Sequence, residues 1–127
     1  RFSTPYCVAA AFIHGKVGLK EFDESVINGQ AEQELLHRVE ICTSDRFTQL
    51  YPGKWGCSVT VECKDGRVFT QEVPSASGSV DNPLSPRQAR DKSVGLMEGV
   101  VGMERAQELA EQLLHVSDLS SVSELKL

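Results

Sequence analysis

The sequence has little positive charge and no long apolar run. It carries 13 Lys and Arg against 18 Asp and Glu in 127 residues, which gives a net charge of −5. A nucleic-acid groove needs clustered basic residues, so nucleic acid is disfavoured as a partner. No apolar stretch approaches the roughly 20 residues of a membrane-spanning helix, and the first residues lack a signal-peptide layout. We therefore expect a cytoplasmic protein with no membrane partner.

Motifs for a metal site or a disulfide framework are also absent. The four cysteines form no Cys-x-x-Cys pair, and the three histidines show no metal-binding spacing. With 40% hydrophobic residues, the chain can bury a core of ordinary size without needing disulfide bonds. The sequence predicts free, mostly buried thiols, with no metal and no cofactor.

The first fifteen residues predict a buried helix with one polar aromatic near its start. Ser3 or Thr4 can cap it, Pro5 suits the first turn, and Gly15 is a natural stop. Between these signals the helix is apolar all round, which is typical of a buried helix. Tyr6 lies near its N-terminus, where unpaired amides and the helix dipole favour an anion such as a carboxylate.

The middle of the chain predicts short helices and a small antiparallel sheet. A weak helix is expected over 19–27, and another over 30–38 with Leu35 and Leu36 inward and Glu32 outward. Alternation predicts a strand over 39–44, followed by an exposed loop over 45–56. Two further strands, 57–63 and 67–73, flank Asp65-Gly66, a strong hairpin signal.

The last third of the chain is predicted to be helical. Ser85, Pro86 and Gln88 form a helix start, and the helix that follows has an apolar stripe that includes Leu96 and Val100. Its Gly95 and Gly99 suggest close packing. An amphipathic helix over 104–115 and a short terminal helix within 118–127 complete the chain. The expected fold is one α+β domain over 1–127, a two-layer sandwich of a three-stranded antiparallel meander with helices on one face.

Several side chains invite a chemical role, but the residues alone favour structural ones. Tyr6 is interpreted as a core aromatic whose hydroxyl bonds a backbone group, and His14 as a complement to the helix dipole. Trp55 is expected in the core. Four cations are candidates for holding carboxylates: Lys16, Lys54, Arg87 and Lys92.

The motifs as a whole resemble the MmgE/PrpD family, which includes 2-methylcitrate dehydratase, cis-aconitate decarboxylase and an iminodisuccinate epimerase. The resemblance begins with Arg1-Phe2-Ser3, Tyr6, Val8-Ala9 and Gly15, and continues through the hairpin 59–66. It also includes Asn82-Pro83-Leu84-Ser85 followed by Lys92. After this lysine the family usually has phenylalanine, whereas this chain has Ser93.

The resemblance implies chemistry at the carbon next to a carboxylate of a small di- or tricarboxylic acid. Tyr6 matches the family's lid-side active-site tyrosine, and the resemblance reverses the structural interpretation above. Ser3, Thr4 and Lys92 are the candidates for substrate binding. The family's helical domain, with its catalytic histidines, has no counterpart in the sequence, so we expect a fragment that is inactive alone.

Two hypotheses follow from this reading. In the first, the chain is the second, lid-like domain of a 2-methylcitrate dehydratase-type lyase, with decarboxylase or epimerase as alternatives within the family. Its partners would be the N-terminal helical domain, the carboxylate substrate and a second copy in a homodimer. In the second, the chain is a non-catalytic module that binds a small carboxylate or a protein. An opening helix with an exposed apolar face would favour the first hypothesis.

Overall fold

The computed structural model describes residues 2–125. Arg1 of the opening motif and the last two residues of the predicted terminal helix lie outside the described residues. The chain divides into two compact units. The helical unit contains Arg1–Ile41 and Pro86–Leu127, and the hairpin unit contains Cys42–Ser85. The expectation of a single domain, with helices on one face of the sheet, stays a prediction.

Between residues 2 and 125, the helical unit has five helices and three short 3-10 turns. Its helices are α1 (Thr4–His14), α2 (Glu24–Ile27), α3 (Gln30–Leu36), α5 (Pro86–Val101) and α6 (Met103–Leu114). The 3-10 turns cover Lys20–Phe22, Val116–Asp118 and Val122–Glu124. α1 packs against α3, and α5 packs against α6.

The core of the helical unit consists largely of small side chains. Ala106 and Ala110 of α6 pack against Val94 of α5, with Met97 beside them. Small residues at these positions let the two helices approach closely, and an ion pair between Arg90 and Glu111 also joins them. In α1, Tyr6, Ala9 and Ala10 are buried.

The hairpin unit contains α4 (Asp45–Leu50) and a two-stranded antiparallel sheet, β1 (Cys57–Glu62) and β2 (Val68–Val73). The predicted hairpin is confirmed. Thr60 pairs with Thr70 across the sheet, and their hydroxyl oxygens lie 3.0 Å apart. Gly66 adopts φ of 85° in the turn, a conformation that favours glycine.

The predicted third strand is wrong, and the predicted loop over 45–56 is wrong for residues 45–50. Residues 39–44 form neither helix nor strand, and Ile41 is 66% exposed, because no neighbouring strand pairs with them in the described chain. Part of the predicted loop is the helix α4, whose Thr48 hydroxyl donates to the carbonyl of Ser44 at 2.9 Å. The sheet is therefore a hairpin and not a three-stranded meander.

Five further expectations about burial and packing are corrected. Glu32, predicted outward, is buried, while Trp55, predicted in the core, is exposed and packs edge-on against Tyr51. All four cysteines are free as predicted, but two are exposed and two are only half-buried.

Leu96 and Val100 of the predicted apolar stripe are exposed. Apart from neighbouring residues and the backbone of α5 itself, no atom of the described chain lies within 4 Å of a Cβ built at Gly95 or Gly99, so these glycines do not serve close packing there.

Candidate functional site

The start of α1 is fixed by the capping residues that the sequence indicated. The Ser3 hydroxyl oxygen accepts a hydrogen bond from the Tyr6 amide at 3.3 Å, and the helix begins at Thr4. At the other end, Gly15 has φ of 72° and its amide donates to the Ala11 carbonyl at 2.9 Å. The side chains of Ser3 and Thr4 are exposed at the helix N-terminus. Their hydroxyl groups are available to a carboxylate there, although the Tyr6 and Cys7 amides of the first turn already bond Ser3.

Tyr6 is buried, with 5% of its surface exposed. Its hydroxyl donates a hydrogen bond to the backbone carbonyl of Glu21, and its ring lies 5.7 Å from the ring of Phe22. Burial, followed by the negative charge of Glu32, raises the pKa of Tyr6 above its ordinary value of 10.0. The phenol is therefore neutral at physiological pH and a weaker acid than an exposed tyrosine.

Two carboxylates that the sequence did not single out surround this tyrosine. Glu21 and Glu32 are each 7% exposed. An oxygen of Glu32 lies 2.8 Å from Nε2 of His14, and an oxygen of Glu21 accepts the Gly18 amide at 2.6 Å. The Gly18 amide is the main reason that the pKa of Glu21 falls below its usual 4.5. The sequence contains one indication of these contacts, which is the position of His14 at the end of an apolar helix.

A cleft of about 740 Å³ lies within the helical unit, between residues 16–23 and α5. Lys16 and Lys92 both line it, and neither forms an ion pair in the part of the chain that the structure describes. The remaining lining includes both acids and apolar groups: Glu21, Asp23, Asp91, Glu98, Val17, Leu19, Leu96 and Met103. Such a mixed surface offers cations for carboxylates and apolar contacts for a carbon skeleton.

The structure brings only some of the predicted site residues together. Lys92 lines the cleft, whereas Tyr6 contacts Glu21, which forms part of the cleft wall. The other candidate cations lie elsewhere: Arg87 is 3.9 Å from Asp91, and Lys54 of the hairpin unit is 3.8 Å from Asp81. Lys20, which the sequence did not indicate, lines the cleft and pairs with Glu98 at 3.0 Å.

α1 leaves part of its apolar surface uncovered. Phe12 is 65% exposed, and Ala11 and Ile13 beside it are also exposed. A monomer seldom exposes a broad apolar patch that has no partner. The uncovered face therefore favours the hypothesis that another domain covers this helix.

Between residues 2 and 125, no helix is both long and apolar enough to pass through a membrane. Over the same residues, no group of three or more His, Cys, Asp or Glu side chains is arranged to hold a metal ion.

The chain belongs to the MmgE/PrpD family, because the family model of the MmgE/PrpD C-terminal domain matches residues 1–116. It is 27% identical over 126 residues to a cis-aconitate decarboxylase-like protein of Aspergillus oryzae (strain ATCC 42149 / RIB 40). It is 26% identical over 129 residues to the cis-aconitate decarboxylase of Homo sapiens. Each match covers 98% of this chain but 26% of the relative, so the chain spans about a quarter of these proteins.

Proposed function

We propose that this chain is the C-terminal, lid-like domain of a lyase that acts on a small di- or tricarboxylic acid. The observation that carries the proposal is the match to the family's C-terminal domain together with Tyr6, which is neutral, buried and attached to the wall of a lysine-lined cleft. In this proposal Tyr6 contributes its hydroxyl to a cleft that is shared with an N-terminal helical domain. Cytoplasmic location and a homodimeric assembly belong to the same proposal, by family resemblance.

The chemistry requires a proton donor and cationic partners. Loss of a carboxylate as carbon dioxide leaves an electron pair on carbon, and that carbon must take up a proton. Tyr6 can supply it because its phenol is protonated at neutral pH and the carbanion that forms is a much stronger base than a phenolate. The Glu21 carbonyl holds the hydroxyl in place before this step, in which the hydroxyl exchanges that carbonyl for the substrate, and solvent returns the proton afterwards. Lys16 and Lys92 provide charge for the substrate carboxylates, and Ser3 and Thr4 provide donors at the helix end.

The names of the relatives favour one reaction among the family's alternatives. The Aspergillus oryzae protein is a cis-aconitate decarboxylase-like protein, and the human protein is a cis-aconitate decarboxylase. Decarboxylation of cis-aconitate is therefore the first activity to test. Dehydration of 2-methylcitrate and epimerisation of iminodisuccinate are the second and third.

The decisive experiment measures turnover of these three acids by the complete enzyme, by this 127-residue chain alone, and by variants of the enzyme. Tyr6→Phe removes only the hydroxyl, and we expect kcat to fall at least about tenfold, equivalent to about 1.4 kcal/mol of transition-state stabilisation. Tyr51→Phe is the matched control, because this exposed tyrosine lies in the hairpin unit. We expect no turnover by the chain alone.

An unchanged rate in Tyr6→Phe would refute the catalytic role of this residue. Turnover by the isolated chain would refute the shared cleft.

A non-catalytic carboxylate-binding module is the second candidate. One observation favours it: the Tyr6 hydroxyl already has a backbone partner within the chain. Calorimetric titration of the isolated chain with cis-aconitate separates the two candidates. A module binds the acid alone and loses binding when Lys92 is replaced by alanine, whereas a shared cleft needs the complete enzyme for tight binding.

A further inference from the structure

Glu21 is a buried carboxylate that has a backbone amide as its hydrogen-bond partner. It is 7% exposed, and its Oε2 accepts the Gly18 amide at 2.6 Å. No Lys, Arg or His forms an ion pair with it in the described part of the chain. A buried carboxylate is costly to maintain unless its hydrogen bonds repay the loss of water. The contact with Gly18 is therefore the main local reason that this side chain lies inward.

The backbone of the same residue holds the hydroxyl of Tyr6. The Glu21 carbonyl accepts that hydroxyl, while the Glu21 side chain folds back to Gly18 three residues earlier. Phe22, the next residue, places its ring 5.7 Å from the Tyr6 ring. One residue thus connects the conformation of the turn over residues 18–22 with the direction of the Tyr6 hydroxyl.

The turn over residues 18–22 is short, and apart from its contacts with Tyr6 its restraints are local backbone bonds and an exposed ion pair. The Phe22 amide donates to the Leu19 carbonyl at 2.9 Å, as expected of a single 3-10 turn. The ion pair from Lys20 to Glu98 is largely exposed on the lysine side, and exposed ion pairs restrain little. The Glu21 carboxylate is therefore the segment's own buried side-chain restraint, beside the bond from the Tyr6 hydroxyl.

We propose that Glu21 is a positioning residue for Tyr6. Its carboxylate fixes the turn over residues 18–22, and the fixed turn presents the Glu21 carbonyl that orients the Tyr6 hydroxyl beside the cleft. The effect on catalysis rests on the proposed function of Tyr6. The effect on the orientation of Tyr6 does not.

Two substitutions separate the effect of the length of the Glu21 side chain from the effect of its charge. Glu21→Gln keeps the length and an acceptor oxygen for the Gly18 amide but removes the charge. Glu21→Asp keeps the charge but is one methylene shorter, so its carboxylate no longer reaches Gly18. If this contact positions Tyr6, the kcat of the Gln variant should stay within about threefold of the kcat of the parent enzyme. The Asp variant should lose at least about tenfold in kcat with little change in KM.

The matched control is Glu24→Asp, three residues along the chain. Glu24 is exposed and makes no side-chain hydrogen bond or ion pair in the described structure. Its shortening should leave kcat and KM unchanged. The opposite order at position 21, in which Asp is active and Gln is not, would overturn positioning and indicate a role for the charge itself.

A spectroscopic test does not depend on activity. The chain has two tyrosines, so Tyr51→Phe leaves Tyr6 as its sole phenol. We expect the Tyr6 hydroxyl proton to be observable by NMR in this background, because a buried hydrogen bond slows its exchange with water. The signal should persist with Glu21→Gln and be lost with Glu21→Asp in a chain whose circular dichroism shows an intact fold. If Asp fails to fold, a Gln variant that loses the signal overturns the proposal.

The two proposals fail in distinguishable ways. If Tyr6→Phe impairs the enzyme but Glu21→Asp leaves kcat and the hydroxyl signal unchanged, positioning is overturned and the proposed function stands. If Tyr6→Phe is fully active, the proposed function fails, and the hydroxyl signal alone decides whether Glu21 orients Tyr6.

Discussion

Tyr6 has both a structural and a chemical description at the level of the single residue. Its hydroxyl bonds the Glu21 carbonyl, as expected of a core tyrosine. The same environment raises the pKa of the phenol, first by burial and then through the charge of Glu32. A buried neutral phenol beside a cleft wall is compatible with both descriptions, and the rate of Tyr6→Phe decides between them.

The lowered pKa of Glu21 makes a prediction about stability and pH. A carboxyl whose pKa is lower in the folded state than in the unfolded state stabilises the fold above its unfolded value, here 4.5, and loses that contribution as the pH falls. The parent chain should therefore be more stable than Glu21→Gln at neutral pH, and the gap should narrow below about pH 4.5. Urea unfolding from pH 7 to pH 3 measures this gap. A gap that is independent of pH would contradict it.

At this scale, features that depend on neighbouring residues could be predicted from the sequence. Contacts between residues far apart in the chain could not. The cap at Ser3 and the stop at Gly15 depend only on neighbouring residues, and both predictions are confirmed. The helix pattern predicts an outward Glu32, because charged residues usually face solvent. It lies inward because α1 presents His14 to it at 2.8 Å. That contact joins residues eighteen positions apart, and the pattern of a single helix does not contain it.

At the scale of secondary-structure elements, α5 contains two glycines that packing does not require. A Cβ at Gly95 or Gly99 would meet no atom within 4 Å, and neither residue has positive φ. Glycine inside a helix is destabilising by roughly 0.5–1 kcal/mol relative to alanine. We therefore expect Gly95→Ala to raise the free energy of unfolding by about that amount, as measured by urea denaturation.

Gly15 provides the matched control for this prediction. It too has open space around a built Cβ, but its φ is +72°, which favours glycine. Gly15→Ala should therefore lower stability by about 1 kcal/mol, opposite in sign to Gly95→Ala. If Gly95→Ala were also destabilising, α5 would not be an ordinary helix at this position.

The hairpin and the failed third strand show what a strand needs beyond its own pattern. Asp65-Gly66 brings two neighbouring segments together, so β1 and β2 are predictable from local residues. Residues 39–44 alternate in the same way but have no partner strand in the described chain. Alternation indicates a surface that can pair, and pairing depends on a second strand that the sequence pattern does not identify.

At the scale of the whole molecule, both units expose large apolar side chains. Phe12 and Val100 are exposed in the helical unit, and Trp55 and Phe69 in the hairpin unit. A two-stranded hairpin is also marginally stable by itself. These features agree with the proposal that the chain is one domain of a larger enzyme, whose remaining parts cover surfaces that this chain leaves open.

Phe12 offers a direct test of that proposal. Phe and Ser have similar helix propensities, so Phe12→Ser changes mainly the burial of an apolar ring. In the isolated chain this side chain is 65% exposed, and the substitution should change the free energy of unfolding by no more than about 0.5 kcal/mol. If another domain covers the ring, the same substitution should destabilise the complete enzyme by at least about 2 kcal/mol. Phe12→Leu, which keeps an apolar side chain, is the control. Equal effects of Phe12→Ser in the chain and in the enzyme would show that this face of α1 is not an interface.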